Sequence, residues 1–171
     1  PINSYQLLNT ARRTGTKLSI IESGRKINEK MPDHTVELTS NAFKECNKSI
    51  QNSEILILGV SYKPNVKDIQ LSPAEYIIEK FQNLGANVHI YDPNFSSTEV
   101  FGIKVEDNLD DVLSKMDAAV IVTGHDDFKK IEISSFAKMK TPILIDTRGI
   151  IEPQSVKQHN IIFRGLGRGD F

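Results

Sequence analysis

The stretch Glu54-Ile-Leu-Ile-Leu-Gly59 constrains this chain more than any other. A near-continuous apolar run of that length reads as a strand buried on both faces, which occurs in parallel sheets covered by helices on either side. A loop follows over 60–71. Then comes Ser72-Pro73-Ala74-Glu75, a helix-start signature with Ser72 as N-cap and Pro73 at the first helical position. The predicted helix runs through Ile77, Ile78 and Phe81 to Leu84, and Gly85 stops it. Strands are predicted over 87–91, 118–122, 142–146 and 160–163, with a short one over 101–105. Helices are predicted over 109–116 and 133–139. Strand–helix alternation of this kind implies a Rossmann-like α/β fold, a parallel sheet with helices on both faces.

The first part of the chain has a different rhythm. Residues 3–13 read as a short helix ended by Gly15. From about Leu18 to Ile50, small and apolar residues recur as Ile20, Gly24, Ile27, Met31, Thr35, Leu38, Ala42 and Cys46. Steps of three and four place them in one narrow stripe along a long helix. Pro32 inside it is expected to kink the helix or start a new one, because it has no N–H and crowds the preceding turn. The expected organisation is a helical region over 1–52 and a Rossmann-like domain over 53–171. The stripe needs a partner, either the following domain or a second copy of the chain.

Bulk properties exclude several classes. Twenty-one Lys and Arg against 22 Asp and Glu leave a net charge of −1, so bulk charge drives no binding to nucleic acid. The longest uncharged apolar runs fall far short of a membrane helix of about 20 residues, so no membrane partner is expected. One cysteine permits no internal disulfide, and no secretory signal is visible; the expected location is cytoplasmic. The four histidines have no zinc-like spacing, so no metal site is expected. Cys46 lies on the helical stripe without an activating motif.

Ligands of open parallel sheets bind beyond the carboxyl ends of the strands, which points to the loops at 60–71, 91–94, 123–128 and 147–150. The first carries Lys63 and Lys67 and ends at a helix N-terminus, a combination that favours an anion such as phosphate or pyrophosphate. Two solvated lysines on a surface loop are the plainer alternative. The dinucleotide fingerprint G-x-G-x-x-G is absent, since the chain reads Gly59-Val-Ser-Tyr-Lys-Pro64. Asp92 stands where a ribose-binding acid would, but the simpler reading is a turn-forming residue before Pro93. The glycine-rich ending, 164–169, carries two arginines suited to phosphate or carboxylate.

Gly59-Val-Ser-Tyr-Lys-Pro-Asn-Val-Lys-Asp-Ile-Gln-Leu-Ser-Pro-Ala74 is similar to the G-x-(S/A)-(F/Y)-K-P-x-x-x-D-x-R-x-S-P stretch of the UDP-glucose/GDP-mannose dehydrogenase family. Tyr91-Asp92-Pro93, Asp146-Thr147-Arg148-Gly149 and Phe163-Arg164-Gly165 resemble its Y-D-P, D-x-R/G and (Y/F)-R-G. Arg25-Lys-Ile-Asn-Glu-Lys-Met-Pro32 resembles the central-helix R-x-I-N-x-x-M-P of the branch that oxidises UDP-2-acetamido sugars such as UDP-N-acetylmannosamine.

The resemblance implies an NAD-dependent, two-step oxidation of a UDP-sugar primary alcohol to a carboxylate, with two NAD reduced per turn. It implies substrate contacts at Tyr62, Lys63 and Arg164, and dimerisation through the long helix. Gln70 stands where the family usually has an arginine that reaches NAD, and Leu71 replaces the usual glutamate. The NAD-binding domain of the family lies ahead of the part matched here. Pro1-Ile2-Asn3 resembles the end of its G-G-x-C-x-P-(K/V)-D motif, which would place the nucleophilic cysteine just upstream of Pro1. The expected role is UDP binding without catalysis by this chain alone. UDP-glucose 6-dehydrogenase, a free-standing nucleotide-binding module and a pure assembly module remain alternatives.

Overall fold

Five parallel strands form the centre of the computed structural model, which describes residues 2–168, apart from the Ile2 side chain. Pro1 and Gly169 to Phe171 lie outside the described residues, and with them the motif position at Pro1 and the end of the glycine-rich tail. The chain begins with helices α1 (Ile2–Arg13) and α2 (Ser19–Glu45). Strand β1 (Glu54–Leu58), helix α3 (Pro73–Asn83) and strand β2 (Asn87–Tyr91) form the first sheet unit. A small antiparallel pair follows, β3 (Glu99–Val100) and β4 (Ile103–Lys104), where a single short strand is predicted. The remaining elements are α4 (Leu109–Leu113), β5 (Ala118–Ile121), α5 (Ile133–Phe136), β6 (Ile143–Asp146), α6 (Pro153–Val156) and β7 (Ile162–Gly165). The predicted helices at α4 and α5 are shorter than expected, and α6 carries no sequence prediction.

The sheet order is β2-β1-β5-β6-β7, all parallel. Alternation along each strand builds two cores. Ile55 and Ile57 face α2 and α3, sharing a cluster with Phe43, Ile77 and Phe81. Leu56 and Leu58 face the other helices, with Val112, Phe136 and Val156. All four side chains are fully buried, as the continuous apolar run requires.

Local chemistry sets the helix ends. The Ser72 side chain accepts a hydrogen bond from the Ala74 N–H and Pro73 opens α3, as predicted. Gly85 ends α3 at φ +81°, its N–H bonding Gln82 O (2.9 Å) while the Ala86 N–H bonds Phe81 O (3.0 Å). The same closure ends α2 five residues before the predicted Ile50. There Asn47, at φ +54°, donates to Lys44 O (2.9 Å) and the Lys48 N–H donates to Phe43 O (3.0 Å). Asparagine tolerates the left-handed conformation that this closure needs. Pro32 does not end α2, which spans 27 residues and runs on to Glu45. A proline inside a helix costs about 3 kcal/mol; burial of Pro32 with Thr35, Val36, Thr39, Ala42 and Phe43 offsets it.

The buried face of α2 is therefore only partly the predicted stripe. Thr35 and Ala42 belong to it, whereas Ile20 is 89% and Ile27 63% exposed. The sheet reaches only the second half of α2; the first half extends past it with α1 alongside.

Candidate functional site at the carboxyl edge of the sheet

The loop after β1 begins at Gly59, with φ +85°. A Cβ there would lie 2.6 Å from Thr123 Cβ, so only glycine lets the β1 and β5 loops meet. Thr123 Oγ1 then donates to Ser61 O (2.5 Å) and the Tyr62 N–H donates to Asp68 O (3.0 Å), folding 60–68 back on itself. Leu71, at φ +58°, turns the chain into the Ser72 cap. The strand order reverses direction between β1 and β5, the position at which open sheets of this order bind ligands.

A cavity of about 610 Å³ opens at this edge. Tyr62 and Leu71 line it from the first loop, Val122 from the end of β5, and Thr147 and Arg148 from the loop after β6. Helices α1 and α2 close the opposite wall with Tyr5, Arg25, Glu29 and Pro32 among others, and α3 adds Tyr76 and Lys80. The volume lies within the range of small-molecule and cofactor pockets. Its charged lining is mostly cationic, with Arg25, Lys80 and Arg148 against Glu29.

These cations differ in availability. Arg25 donates to Tyr5 Oη (2.7 Å) and Glu29 Oε1 (3.2 Å), and its guanidinium stacks 4.4 Å from the Tyr5 ring centre. Tyr5 Oη also donates to Glu29 Oε1. This hydrogen bond holds the Glu29 carboxyl below its ordinary range; burial opposes it, and the Arg25 contact adds to the lowering. Lys80 pairs with Asp33 (2.5 Å). Arg148 is exposed and has no ion pair among the described residues. Its placement comes from Asp146, fully buried at the end of β6. Asp146 Oδ1 accepts the Arg148 and Gly149 N–H groups and Oδ2 accepts that of Ile151, each at 2.8 Å. The carboxylate thus folds Asp146-Thr147-Arg148-Gly149 into a turn that presents Arg148 to the cavity. Its position in the D-x-R turn is the one sequence signal that marks Arg148, and sequence reasoning assigned it no role.

The predicted site residues fall in different places. Tyr62 lines the cavity. Lys63 is exposed beside it, its Nζ 5.1 Å from the Tyr62 ring centre, and the neighbouring Tyr62 phenol raises the ammonium pKa. Lys67 is also exposed, 5.3 Å from the Phe95 ring centre. Gln70 is exposed at the loop's end, its N–H donating to Asp68 Oδ1 (2.9 Å), and is not among the cavity-lining residues. Arg164 points to the far end of α2, where Nη2 donates to both Glu45 carboxylate oxygens at 2.6 Å. Arg168 in the tail donates to Ile151 O (3.2 Å) and Gly149 O (3.0 Å), bracing the turn that carries Arg148.

Other candidates are structural. Asp92 is fully buried, and Oδ2 accepts the Val60 N–H (2.8 Å) and His125 Nε2–H (3.1 Å). Its Oδ1 accepts the Asn94 N–H (2.9 Å). Burial alone would raise the Asp92 pKa, but the His125, Val60 and Asn94 hydrogen bonds outweigh it and the net shift is downward. Cys46 packs against the sheet core away from the cavity, and burial pushes its thiol pKa up, opposite to the shift that activates a nucleophile. Among the described residues no group of three or more His, Cys, Asp or Glu forms a metal cluster, and no helix is long and apolar enough to cross a membrane.

Comparison with known proteins places this geometry. Residues 56–153 match the family described as UDP-glucose/GDP-mannose dehydrogenase family, UDP binding domain. A UDP-N-acetyl-D-mannosamine dehydrogenase of Pyrococcus horikoshii is 35% identical over 171 residues, covering 99% of this chain and 38% of that protein. The UDP-glucose 6-dehydrogenase TuaD of Bacillus subtilis is 30% identical over 98% of this chain and 37% of its own length. The crystal structure of an NDP-N-acetyl-D-galactosaminuronic acid dehydrogenase from Methanosarcina mazei superposes with a TM-score of 0.85 at 26% identity, over 96% of this chain and 36% of that one. The chain thus spans under two fifths of the length of these relatives.

Proposed function

The chain belongs to the UDP-glucose/GDP-mannose dehydrogenase family, and from that premise we propose that it binds the UDP moiety of a nucleotide sugar for an NAD-dependent 6-dehydrogenase. The observation that carries this reading is the cationic cavity of about 610 Å³ at the β1/β5 reversal, with Arg148 presented to it and without an ion pair among the described residues. A diphosphate is acceptor-only and dianionic, so a guanidinium held by a rigid turn suits it through two parallel hydrogen bonds. Tyr62 offers an aromatic face in the cavity wall, and Lys63 a charge at the rim. Arg164 contributes in this reading after its guanidinium leaves Glu45, the two residues being linked in the present arrangement.

The reaction of the whole protein is, on this reading, oxidation of the sugar's primary alcohol to a carboxylate, with two NAD reduced per turn and water releasing the cysteine-bound intermediate. UDP-N-acetyl-D-mannosamine is the favoured substrate, supported by the 35% identity to a dehydrogenase of that name; UDP-glucose is the alternative. The residues of this chain do not fit a dinucleotide pyrophosphate cradle. The Gly59–Pro64 turn lacks the glycine fingerprint, and Gln70 offers a neutral amide at an exposed loop end. No step of the chemistry is therefore assigned to these residues, whose work is to bind and orient. Cys46 lies away from the cavity and burial raises its thiol pKa, which supports reading it as a structural residue and not as the nucleophile.

Calorimetry with UDP tests the reading. The wild-type chain is expected to bind, and Lys63→Ala to weaken binding several-fold; no measurable heat with UDP at millimolar concentration rejects it. The exposed Ile20, Ile27 and Leu7 support self-association through α1 and the first half of α2. Ile27→Asp is then expected to shift sedimentation from dimer to monomer, and a wild-type monomer at high concentration rejects that part.

A further inference from the structure

His125 and Asp92 form a fully buried titratable pair that the binding scheme does not use, 33 residues apart in sequence and at the ends of different strands. One polar contact of the ring has a fixed direction, and it sets the others. The Asn65 N–H donates to Nδ1 at 2.9 Å, and Asn94 Nδ2 approaches the same nitrogen at 3.5 Å. A nitrogen that accepts from an amide carries no proton. The ring is therefore the neutral tautomer with its proton on Nε2, which faces Asp92 Oδ2 at 3.1 Å. Phe128 packs edge-on against the ring, 5.2 Å between centres.

We infer that His125, oriented by Asp92, is the positioning residue that fixes the Tyr62–Lys63 segment at the mouth of the cavity. The argument is one of connection. Asp92 holds the start of the loop through the Val60 N–H, and His125 holds Asn65, five residues on, through its N–H. Tyr62 and Lys63 lie between these two anchors. Asn65 sits at φ +59°, a conformation that a bond at its N–H helps to hold. Its side chain and Asp126 close a second clasp, Asn65 Nδ2 to Asp126 Oδ2 (2.7 Å) and Asp126 N to Asn65 Oδ1 (3.1 Å). The pair thus ties the β1 loop to the loops after β2 and β5 without touching the cavity. The inference rests on the nucleotide reading above for its ligand, and on the hydrogen bonds alone for the loop.

Two substitutions separate the nitrogens. His125→Asn places an acceptor near the Nδ1 position and loses the donor to Asp92; His125→Gln does the reverse. Asn is expected to retain most of the UDP affinity. Gln is expected to lower it roughly tenfold, the scale of one lost positioning hydrogen bond, and to speed amide exchange across 61–65. Equal UDP affinity in the two variants, or losses that track their melting temperatures, overturns the positioning role.

The wild-type chain supplies a test that needs no variant. Its nitrogen NMR spectrum is expected to show the His125 proton on Nε2 only, with a protected Asn65 amide. A proton on Nδ1, or an Asn65 amide that exchanges freely, overturns the inference. Failure of the wild-type chain to bind UDP overturns the ligand half along with the nucleotide reading, while the tautomer and Asn65 protection still decide the loop half.

Discussion

Arg148 and Arg164 illustrate how much one carboxylate decides. Arg148 follows β6, Arg164 lies within the neighbouring β7, and both have the same side chain. Asp146 captures backbone N–H groups around Arg148 and leaves its guanidinium without an ion pair among the described residues, whereas Glu45 captures the guanidinium of Arg164 itself. On the binding reading, Arg148→Ala is expected to weaken UDP binding roughly tenfold, since a charge-assisted hydrogen bond contributes about 1.5–3 kcal/mol. Unfolding in urea is expected to change little, because the side chain is exposed and pairs with no described carboxylate. Arg148→Lys is expected to recover only part of the affinity, having lost the paired donors. Calorimetry on the three proteins checks both points. The D-x-R spelling is legible in sequence, but spelling alone does not separate an arginine that is free from one that is occupied. The partner of Arg164 lies 119 positions away.

At the scale of elements, the reliable signals were those completed within a few residues. Ser72-Pro73 opens α3 as predicted because the acceptor and the donor it satisfies are two residues apart. Ser72→Ala is expected to cost about 1 kcal/mol, read as a lower urea midpoint with an unchanged slope. An unchanged midpoint would mean that packing alone holds the start of α3. Because Ser72 follows the β1 loop directly, the same variant tests whether the cap steadies Leu71 at the cavity edge. The long helix shows the opposite case. Periodicity marks a stripe along its whole length, but burial depends on where the sheet stops. Val36, Thr39 and Phe43 are buried and off the predicted stripe; Ile20 and Ile27 are on it and exposed. Pro32 was expected to break or kink the helix. The burial of its ring and of the turns that follow keeps α2 continuous.

The whole molecule depends on carboxylates that the fold keeps ionised. Asp92 and Asp117 are both lowered in pKa: burial opposes ionisation, but hydrogen bonds to His125, Val60 and Asn94 for Asp92, and to the Glu54 N–H, Thr141 and Lys48 for Asp117, outweigh it. A carboxyl whose folded pKa is depressed adds stability above its unfolded value of about 3.9 and loses it as pH falls through the folded value. Stability is therefore expected to decline as pH drops below about 4, as these groups protonate. Asp92→Asn is expected to be less stable at neutral pH and to show a shallower decline below about pH 4. Urea unfolding at a series of pH values checks this; parallel curves for the two proteins would count against a depressed Asp92.

Sequence by itself determined the five parallel strands, the start and stop of α3, the loop with Tyr62 and Lys63 and the family, because each is written in short-range patterns or in contiguous motifs. Tertiary structure alone decided which half of α2 is covered, which arginine reaches the cavity, and that Asp92 and His125 meet behind the β1 loop. Those outcomes depend on strand order. The sequence β2-β1-β5 brings residues from three separate turns to one edge, and no local pattern in any of the three encodes the distance to the other two.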